Sequence, residues 1–174
     1  MHIALLSASD APRYRALMLH AYEAAADAFT STPEERAAEP DSWWVKRIAD
    51  PKGLSMSFGA FGGKELIGTV TVEFSSKPKT RHKALIIGKF VLESARGQGV
   101  ARSLLKAALA AAAARPEVLV VTLTATEGNR AALTLYESFG FKAFGVEPMA
   151  ISTPQGFRSK VHMWLSLRGE QTAV

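Results

Sequence analysis

The sequence predicts one mixed α/β domain, in which helices flank a mostly antiparallel central sheet. Strand-like apolar runs recur between segments with helical spacing of apolar residues. A strand–helix–strand–helix unit occupies the second half of the chain, and runs that suit antiparallel pairing lie on both sides of it. The length of 174 residues, without an internal repeat, suits one domain. We assign residues 1–168 to this domain and 169–174 to a C-terminal tail.

The first predicted elements are a short strand and two helices. The strand covers Ile3 to Leu6. Ser9 or Asp10 can cap a helix over about Ala11 to Ala26, because either side chain can accept from a free amide of the first turn. A polar stretch from Thr30 to Pro40 follows. A second helix over Asp41 to Ala49 carries two tryptophans and an isoleucine. We therefore expect a strand that feeds a helical segment.

Three strands are predicted next. Runs over Ser57 to Phe61 and Leu66 to Phe74 flank the dipeptide Gly62-Gly63, which suits a tight hairpin turn. A charged connection from Lys77 to Lys83 leads to a strand over Ala84 to Leu92. These segments form the predicted antiparallel part of the sheet.

The remaining elements alternate between helix and strand. An amphipathic helix is predicted over Val100 to Ala114, because small and apolar residues fall three to four positions apart. Val118 to Ala125 is nearly all apolar or β-branched, which predicts a strand buried on both faces. A helix over Arg130 to Ser138 precedes two last strands, over Phe141 to Ile151 and Ser159 to Leu167.

The composition excludes several classes of function. There are no cysteines, so disulfides, thiolate nucleophiles and sulfur-ligated metals are ruled out, and four scattered histidines argue against a metal site. No signal peptide is recognisable, and the longest apolar run, Ala107 to Ala114, is too short to span a bilayer. We expect a cytoplasmic protein that does not contact membranes. The net charge of +5 comes without an RNA-recognition signature, so a nucleic-acid partner is not expected.

The segment from Val91 to Leu105, VLESARGQGVARSLL, carries the functional prediction. It reads as a strand, a turn with Gly97 and Gly99, and then a helix. Glycines let the backbone approach a ligand closely, and the free amides of a helix start attract an anion such as a pyrophosphate. The lysine of a Walker loop and the third glycine of a dinucleotide fingerprint are both missing. A glycine-rich loop without a ligand is the alternative.

At this motif the sequence resembles the GCN5-related N-acetyltransferase (GNAT) superfamily. The family's pyrophosphate loop, Arg/Gln-x-x-Gly-x-Gly/Ala, is matched by Arg96, Gly99 and Ala101. The resemblance covers nearly the whole chain and implies a GNAT-like fold, with acetyl-CoA as co-substrate and no metal. The second signature, Asn-x-x-Ala-x-x-Leu-Tyr-x-x-x-Gly-Phe, is matched by Asn129, Ala132, Leu135, Tyr136, Gly140 and Phe141.

The resemblance also implies roles for single residues. Asn129 would bind the pantetheine arm, and Tyr136 would protonate the departing thiolate as the catalytic acid. Asn129 could instead be only a helix N-cap, and Tyr136 only a core aromatic. The residues implied to bind the coenzyme are Phe90, Val91 and Leu92 through their backbone, Arg96, Gly97, Gln98, Gly99, Val100, Ala101 and Arg102 around the pyrophosphate, and Asn129 and Ala132.

The resemblance implies an acetyl-CoA-dependent N-acetyltransferase that acts by direct attack of a primary amine of a small molecule, peptide or protein. The alternative is a non-catalytic acyl-CoA sensor. Some relatives carry a glutamate five residues before the asparagine, but Thr124 stands at that position here. Glu73, Glu93 and Glu147 are candidate bases through bound water, and the alternative for each, which we favour, is a solvated or structural carboxylate. Homodimers are common among relatives and are compatible with this chain.

Overall fold

A computed structural model describes residues 1–169, so the predicted tail lies outside the described residues apart from its first residue. The helices are α1 (Ala11–Ala24), α2 (Pro33–Ala37), α3 (Asp41–Ile48), α4 (Val100–Ala113) and α5 (Arg130–Glu137). The strands are β1 (His2–Leu5), β2 (Ser55–Gly62), β3 (Glu65–Phe74), β4 (Lys83–Val91), β5 (Val120–Thr126), β6 (Lys142–Thr153) and β7 (Gly156–Ser166).

The seven strands form one sheet in the order β1-β2-β3-β4-β5-β7-β6. Neighbouring strands are antiparallel except β4 and β5, which are parallel. The predicted fold class is therefore confirmed. The parallel pair lies in the middle of the sheet, where α4 connects β4 to β5.

Two clusters of buried side chains hold the helices on the sheet. One joins the apolar face of α4 to strands of the sheet and includes Leu104 and Val121. The other joins α1 and α3 to the sheet and includes Tyr14, Trp44 and Phe90. Because β4 residues belong to both clusters, the strand that leads to the glycine-rich turn is fixed in place by both.

Two local details differ from the prediction. The helix α2 was not predicted, although Thr32 and Glu35 form a reciprocal capping box and Pro33 stands at the first helical position. The hairpin turn lies one residue later than predicted, because Gly62 still pairs with Glu65 and the turn residues are Gly63 and Lys64. Gly63 has a φ of +64°, which explains the glycine there.

The prediction that the strand after α4 is buried on both faces was wrong. In β5 the side chains of Val121, Leu123 and Ala125 are buried, whereas Thr124 is exposed. One face of β5 packs on the core, and the other lines a cavity described below. Within residues 1–169 no helix is long and apolar enough to cross a membrane.

Candidate functional site

The parallel strands β4 and β5 separate beyond their first three paired residues. Pairing covers Lys83 to Leu85 on β4 and Val120 to Thr122 on β5, yet β4 continues to Val91 and β5 to Thr126. The facing edges of both strands are therefore available beyond this point. A gap of this kind between parallel strands can admit an extended ligand that pairs with backbone groups.

A bulge in β4 marks the separation. Thr71 pairs with Ile87 and Thr69 with Phe90, so Gly88 and Lys89 together oppose a single residue of β3. Gly88 has a φ of +59°, as a bulge of this type requires. The bulge turns β4 and re-aims the Lys89 side chain, whose surroundings are described below.

The predicted turn between β4 and α4 is built around two left-handed glycines. Gly97 and Gly99 have φ values of +75° and +76°, and Gly99 is the N-cap of α4. The first hydrogen bond into the helix runs from the Ser103 amide to the Gly99 carbonyl. The amides of residues 100–102 therefore have no acceptor within the helix, and they are free to bind an anion.

A cleft of about 600 Å³, the glycine-loop cleft, opens beside this turn. Leu92 and Gln98 do not line it. The Leu92 amide donates to the Ile67 carbonyl of β3, and the Gln98 side chain donates to the Ser94 carbonyl. The predicted binding residues that line the cleft are Phe90, Val91, Arg96, Gly97, Gly99, Val100, Ala101, Arg102, Asn129 and Ala132.

The backbone amide of Val91 points towards the gap between β4 and β5, whereas that of Leu92 does not. Successive backbone groups of a strand point to opposite sides, and the Leu92 amide points to β3, so the Val91 amide points to the β5 side. The Val91 carbonyl accepts from Arg96 Nε at 3.2 Å, which agrees with this direction. The backbone donor that can reach a ligand in the gap is therefore at Val91.

Asn129 caps α5 and also lines the cleft. Its Oδ1 accepts from the Ala132 amide at 3.2 Å, as in the N-cap interpretation. The residue is nevertheless exposed and borders the glycine-loop cleft. The two interpretations are compatible, because capping uses only the oxygen and leaves the amide nitrogen for other partners.

Tyr136 is a buried residue of α5, with 5% of its surface exposed. Its ring packs against Phe141 at a centroid distance of 5.9 Å, and Lys89 Nζ lies 5.3 Å from the ring centroid. Burial raises the pKa of the Tyr136 phenol above its ordinary value of 10.0. The hydroxyl therefore stays protonated at physiological pH and can act as a hydrogen-bond donor.

Tyr136 lines a second space, the inner cavity, with a volume of about 220 Å³. Phe29, Lys89, Asn129 and Ala132 border both this cavity and the glycine-loop cleft, so the two are adjacent. The sequence did not single out most of the inner-cavity residues. The polar and charged ones among them include Arg36, Arg47, Lys89, Thr124 and Lys160.

Comparisons with known proteins identify the family of the chain. A family model described as the Acetyltransferase (GNAT) family matches residues 18–141. The chain belongs to the GNAT acetyltransferase family. No curated protein sequence matches it.

Solved structures with the same fold include three informative ones. The putative acetyltransferase yncA from Salmonella typhimurium, solved with its cofactor acetyl-CoA, has a TM-score of 0.80 and 18% identity, over all of this chain and 98% of that one. A GNAT-family acetyltransferase from Streptococcus pneumoniae has a TM-score of 0.78 and 20% identity, over 95% and 98%. Ribosomal-protein-alanine N-acetyltransferase from Brucella melitensis has a TM-score of 0.77 and 22% identity, over 96% and 100%.

The glycine-loop cleft fits acetyl-CoA, the acyl donor of the GNAT family. The amides at the start of α4 and the adjacent Arg96 are donors suited to a pyrophosphate. The gap between β4 and β5 suits an extended arm with amide groups. Across residues 1–169, His, Asp and Glu residues form no group of three or more that could hold a metal ion.

None of the three candidate carboxylate bases borders the inner cavity. Glu73 accepts from Arg47 at 3.0 Å, and Glu93 pairs with Arg96 at 3.5 Å. Glu147 contacts His162 at 2.9 Å. The structural interpretation therefore fits all three, and no carboxylate or histidine lines the cavity in the described part of the chain.

Lys89 makes stability dependent on pH. Burial, and to a smaller extent the charge of Arg96, lower the pKa of Lys89 below its ordinary value of 10.5. Between the lowered pKa and 10.5 the unfolded chain binds more protons than the folded one, so stability rises with pH there. We expect the free energy of unfolding of the wild type to rise with pH relative to that of Lys89→Met, as measured by urea denaturation. A pH-independent difference would contradict this.

Proposed function

We propose that this chain is an N-acetyltransferase that moves the acetyl group of acetyl-CoA directly onto a primary amine of a small molecule, peptide or protein. The observation that carries the proposal is the adjacency of two spaces. The glycine-loop cleft suits the coenzyme, and the inner cavity beside it is large enough for a small amine. Tyr136 lies in the inner cavity, close to the border that Lys89, Asn129 and Ala132 form.

The proposed roles follow from these positions. Residues 96–102 hold the pyrophosphate through the loop backbone and Arg96, and the Phe90–Val91 edge of β4 pairs with the pantetheine arm. The Val91 amide donates to the carbonyl oxygen of the thioester, where negative charge develops during attack. The hydroxyl of Tyr136 donates to the leaving thiolate. Leu92 is removed from the binding set, because its amide is bonded to β3.

The reaction needs an uncharged amine. Its nitrogen forms a bond to the acetyl carbon, the carbon–sulfur bond breaks, and the proton of the amine passes to water, since no carboxylate or histidine of residues 1–169 lines the inner cavity. The sulfur leaves as a thiolate, which the Tyr136 hydroxyl stabilises by a hydrogen bond, and it takes a proton from water, so that the proton released by the amine is balanced. Positive side chains around the cavity favour the uncharged form of a bound amine, because like charges lower an amine pKa.

The test follows release of coenzyme A thiol when the purified protein is mixed with acetyl-CoA and a panel of amines. The panel contains polyamines, aminoglycosides, amino acids and short peptides. We expect thiol release that depends on one class of amine, and mass spectrometry of the product should locate the acetyl group on nitrogen. The protein incubated with acetyl-CoA alone should keep its mass, because direct attack forms no acetyl-enzyme. A stable acetyl-enzyme would contradict direct attack.

The acyl-CoA sensor is the second candidate. Its support is the absence of a carboxylate or histidine among the residues that line the inner cavity. Calorimetry separates the two functions: a sensor binds acetyl-CoA but gives no thiol release with any amine, whereas the enzyme shows both. A homodimer and a cytoplasmic location remain predictions.

A further inference from the structure

The inner cavity is unusual in its charge. Four basic side chains border it, and no acidic side chain does. Two of these side chains, Arg36 and Arg47, come from α2 and α3, and the other two, Lys89 and Lys160, come from β4 and β7. The four basic side chains thus come from separate elements, and the folded chain brings them to one cavity.

The two arginines flank Trp43 and have only partial compensation for their charge. The guanidinium carbons of Arg36 and Arg47 lie 4.6 Å and 5.6 Å from the Trp43 ring centroid. Arg36 pairs with Glu39 at 3.5 Å and Arg47 with Glu73 at 3.0 Å, and both carboxylates lie outside the cavity lining. In each arginine the Nε atom is buried without a hydrogen-bond partner among the described residues.

The positive charges of the two lysines are balanced less fully than those of the arginines. Lys160 is 7% exposed, and its Nζ donates to the Ala28 carbonyl at 3.0 Å. Burial lowers the pKa of Lys160, and Glu147 opposes this shift only in part. Lys89 has no ion pair within residues 1–169. Buried cations are costly without a paired carboxylate, and neither lysine has a salt bridge within residues 1–169, so an anion in the cavity would be stabilised by both.

The coenzyme does not account for this charge. Lys89 borders both spaces, so a bound coenzyme could lie near it. Arg36, Arg47 and Lys160 border the inner cavity and not the glycine-loop cleft. An anionic group that contacts these three side chains must therefore belong to the acceptor rather than to a coenzyme in the glycine-loop cleft. A polyamine or an aminoglycoside would add further positive charge here and is disfavoured.

We propose that the acceptor is a small amine that carries its own anionic group, a carboxylate or a phosphoryl group, which binds to the basic side chains of the inner cavity. This inference rests on the proposed acetyltransferase function and specifies its substrate class. The anionic group is held by Arg36, Arg47 and Lys160, and the amine then points towards Tyr136 and Lys89 at the border with the coenzyme cleft. The volume of about 220 Å³ suits a portion of the acceptor about the size of an amino acid.

The test compares anionic amines with their neutral derivatives. Alanine, leucine and phenylalanine are each compared with their amides, and 2-aminoethylphosphonate with its neutral diethyl ester, so that the two arms distinguish a carboxylate from a phosphoryl group. We expect at least one acid to have a kcat/KM about tenfold or more above that of its neutral partner, because charge-assisted hydrogen bonds are the stronger ones. Equal or better use of the neutral partners or of polyamines would overturn the inference.

Variants test whether the basic side chains of the inner cavity bind the anionic group. Arg47→Gln and Lys160→Gln should each raise the KM for the preferred acid about tenfold, with little change for its neutral partner or for acetyl-CoA. Arg81→Gln, in an exposed connection, removes the same charge far from the cavity and is the control. Two folded variants with an unchanged KM for the acid would overturn the inference. If no amine gives thiol release although the coenzyme binds, the proposed function itself fails, and the inference with it.

Discussion

Tyr136→Phe is expected to lower kcat about 100-fold while the affinity for acetyl-CoA stays unchanged. The substitution removes one hydroxyl from the inner cavity and keeps the ring that packs against Phe141 at 5.9 Å. The pKa of the phenol is raised by burial, so its proton is present at every pH at which the enzyme would work. A donor that contacts the leaving thiolate acts mainly in the transition state, so its loss appears in kcat rather than in binding.

The measurement is the rate of thiol release under saturating acetyl-CoA, together with calorimetry of coenzyme binding. Tyr14→Phe is the matched control, because Tyr14 is equally buried, 1% exposed, and its hydroxyl lies 3.5 Å from Thr71 Oγ1 in the core cluster of α1. We expect Tyr14→Phe to leave kcat unchanged even if it costs some stability. A full kcat in Tyr136→Phe would show that Tyr136 is only a core aromatic.

The turn and the helix on the coenzyme side of the candidate site were predictable because their signals are local. Gly97 and Gly99 indicated a turn, which the structure builds with both glycines in the left-handed region, and the following segment has the amphipathic pattern of α4. The orientation of backbone groups was not predictable in the same way. Leu92 was included in the binding set by position, yet the register of β3 and β4 directs its amide to Ile67.

The acceptor side was largely missed because its residues come from separate parts of the chain. Arg36, Arg47 and Lys160 share no local pattern, and only the folded sheet brings them around one cavity. Lys89 is an exception, because the sequence around it indicates an irregular strand. A lysine directly after a glycine, inside the apolar run ALIIGKFV, is the combination that a bulge accommodates. The exposure of Thr124 was not predictable from the sequence, since a strand beside an open cavity has the composition of a buried strand.

Gly99→Val is expected to weaken acetyl-CoA binding by about 10- to 100-fold. Gly99 has a φ of +76° at the N-cap of α4, where a β-branched residue is strained by about 1–3 kcal/mol. A Cβ at this position would meet no atom within 4 Å, so the fold itself should tolerate the substitution. In the free protein the loop can relax and relieve the strain. Binding requires the left-handed conformation that aligns the amides, so the strain then reduces the affinity.

Gly63→Val separates this effect from a general loss of stability. Gly63 has a φ of +64° in the turn between β2 and β3, and a Cβ there would also meet no atom within 4 Å. Both variants should stay folded, and the loss of Tm should be no larger in Gly99→Val than in Gly63→Val, because the loop at residues 96–102 can relax. Only Gly99→Val should raise the Kd for acetyl-CoA in calorimetry. If the two variants bind the coenzyme equally well, the turn at residues 96–102 does not hold the pyrophosphate, and the glycines serve only to connect β4 with α4.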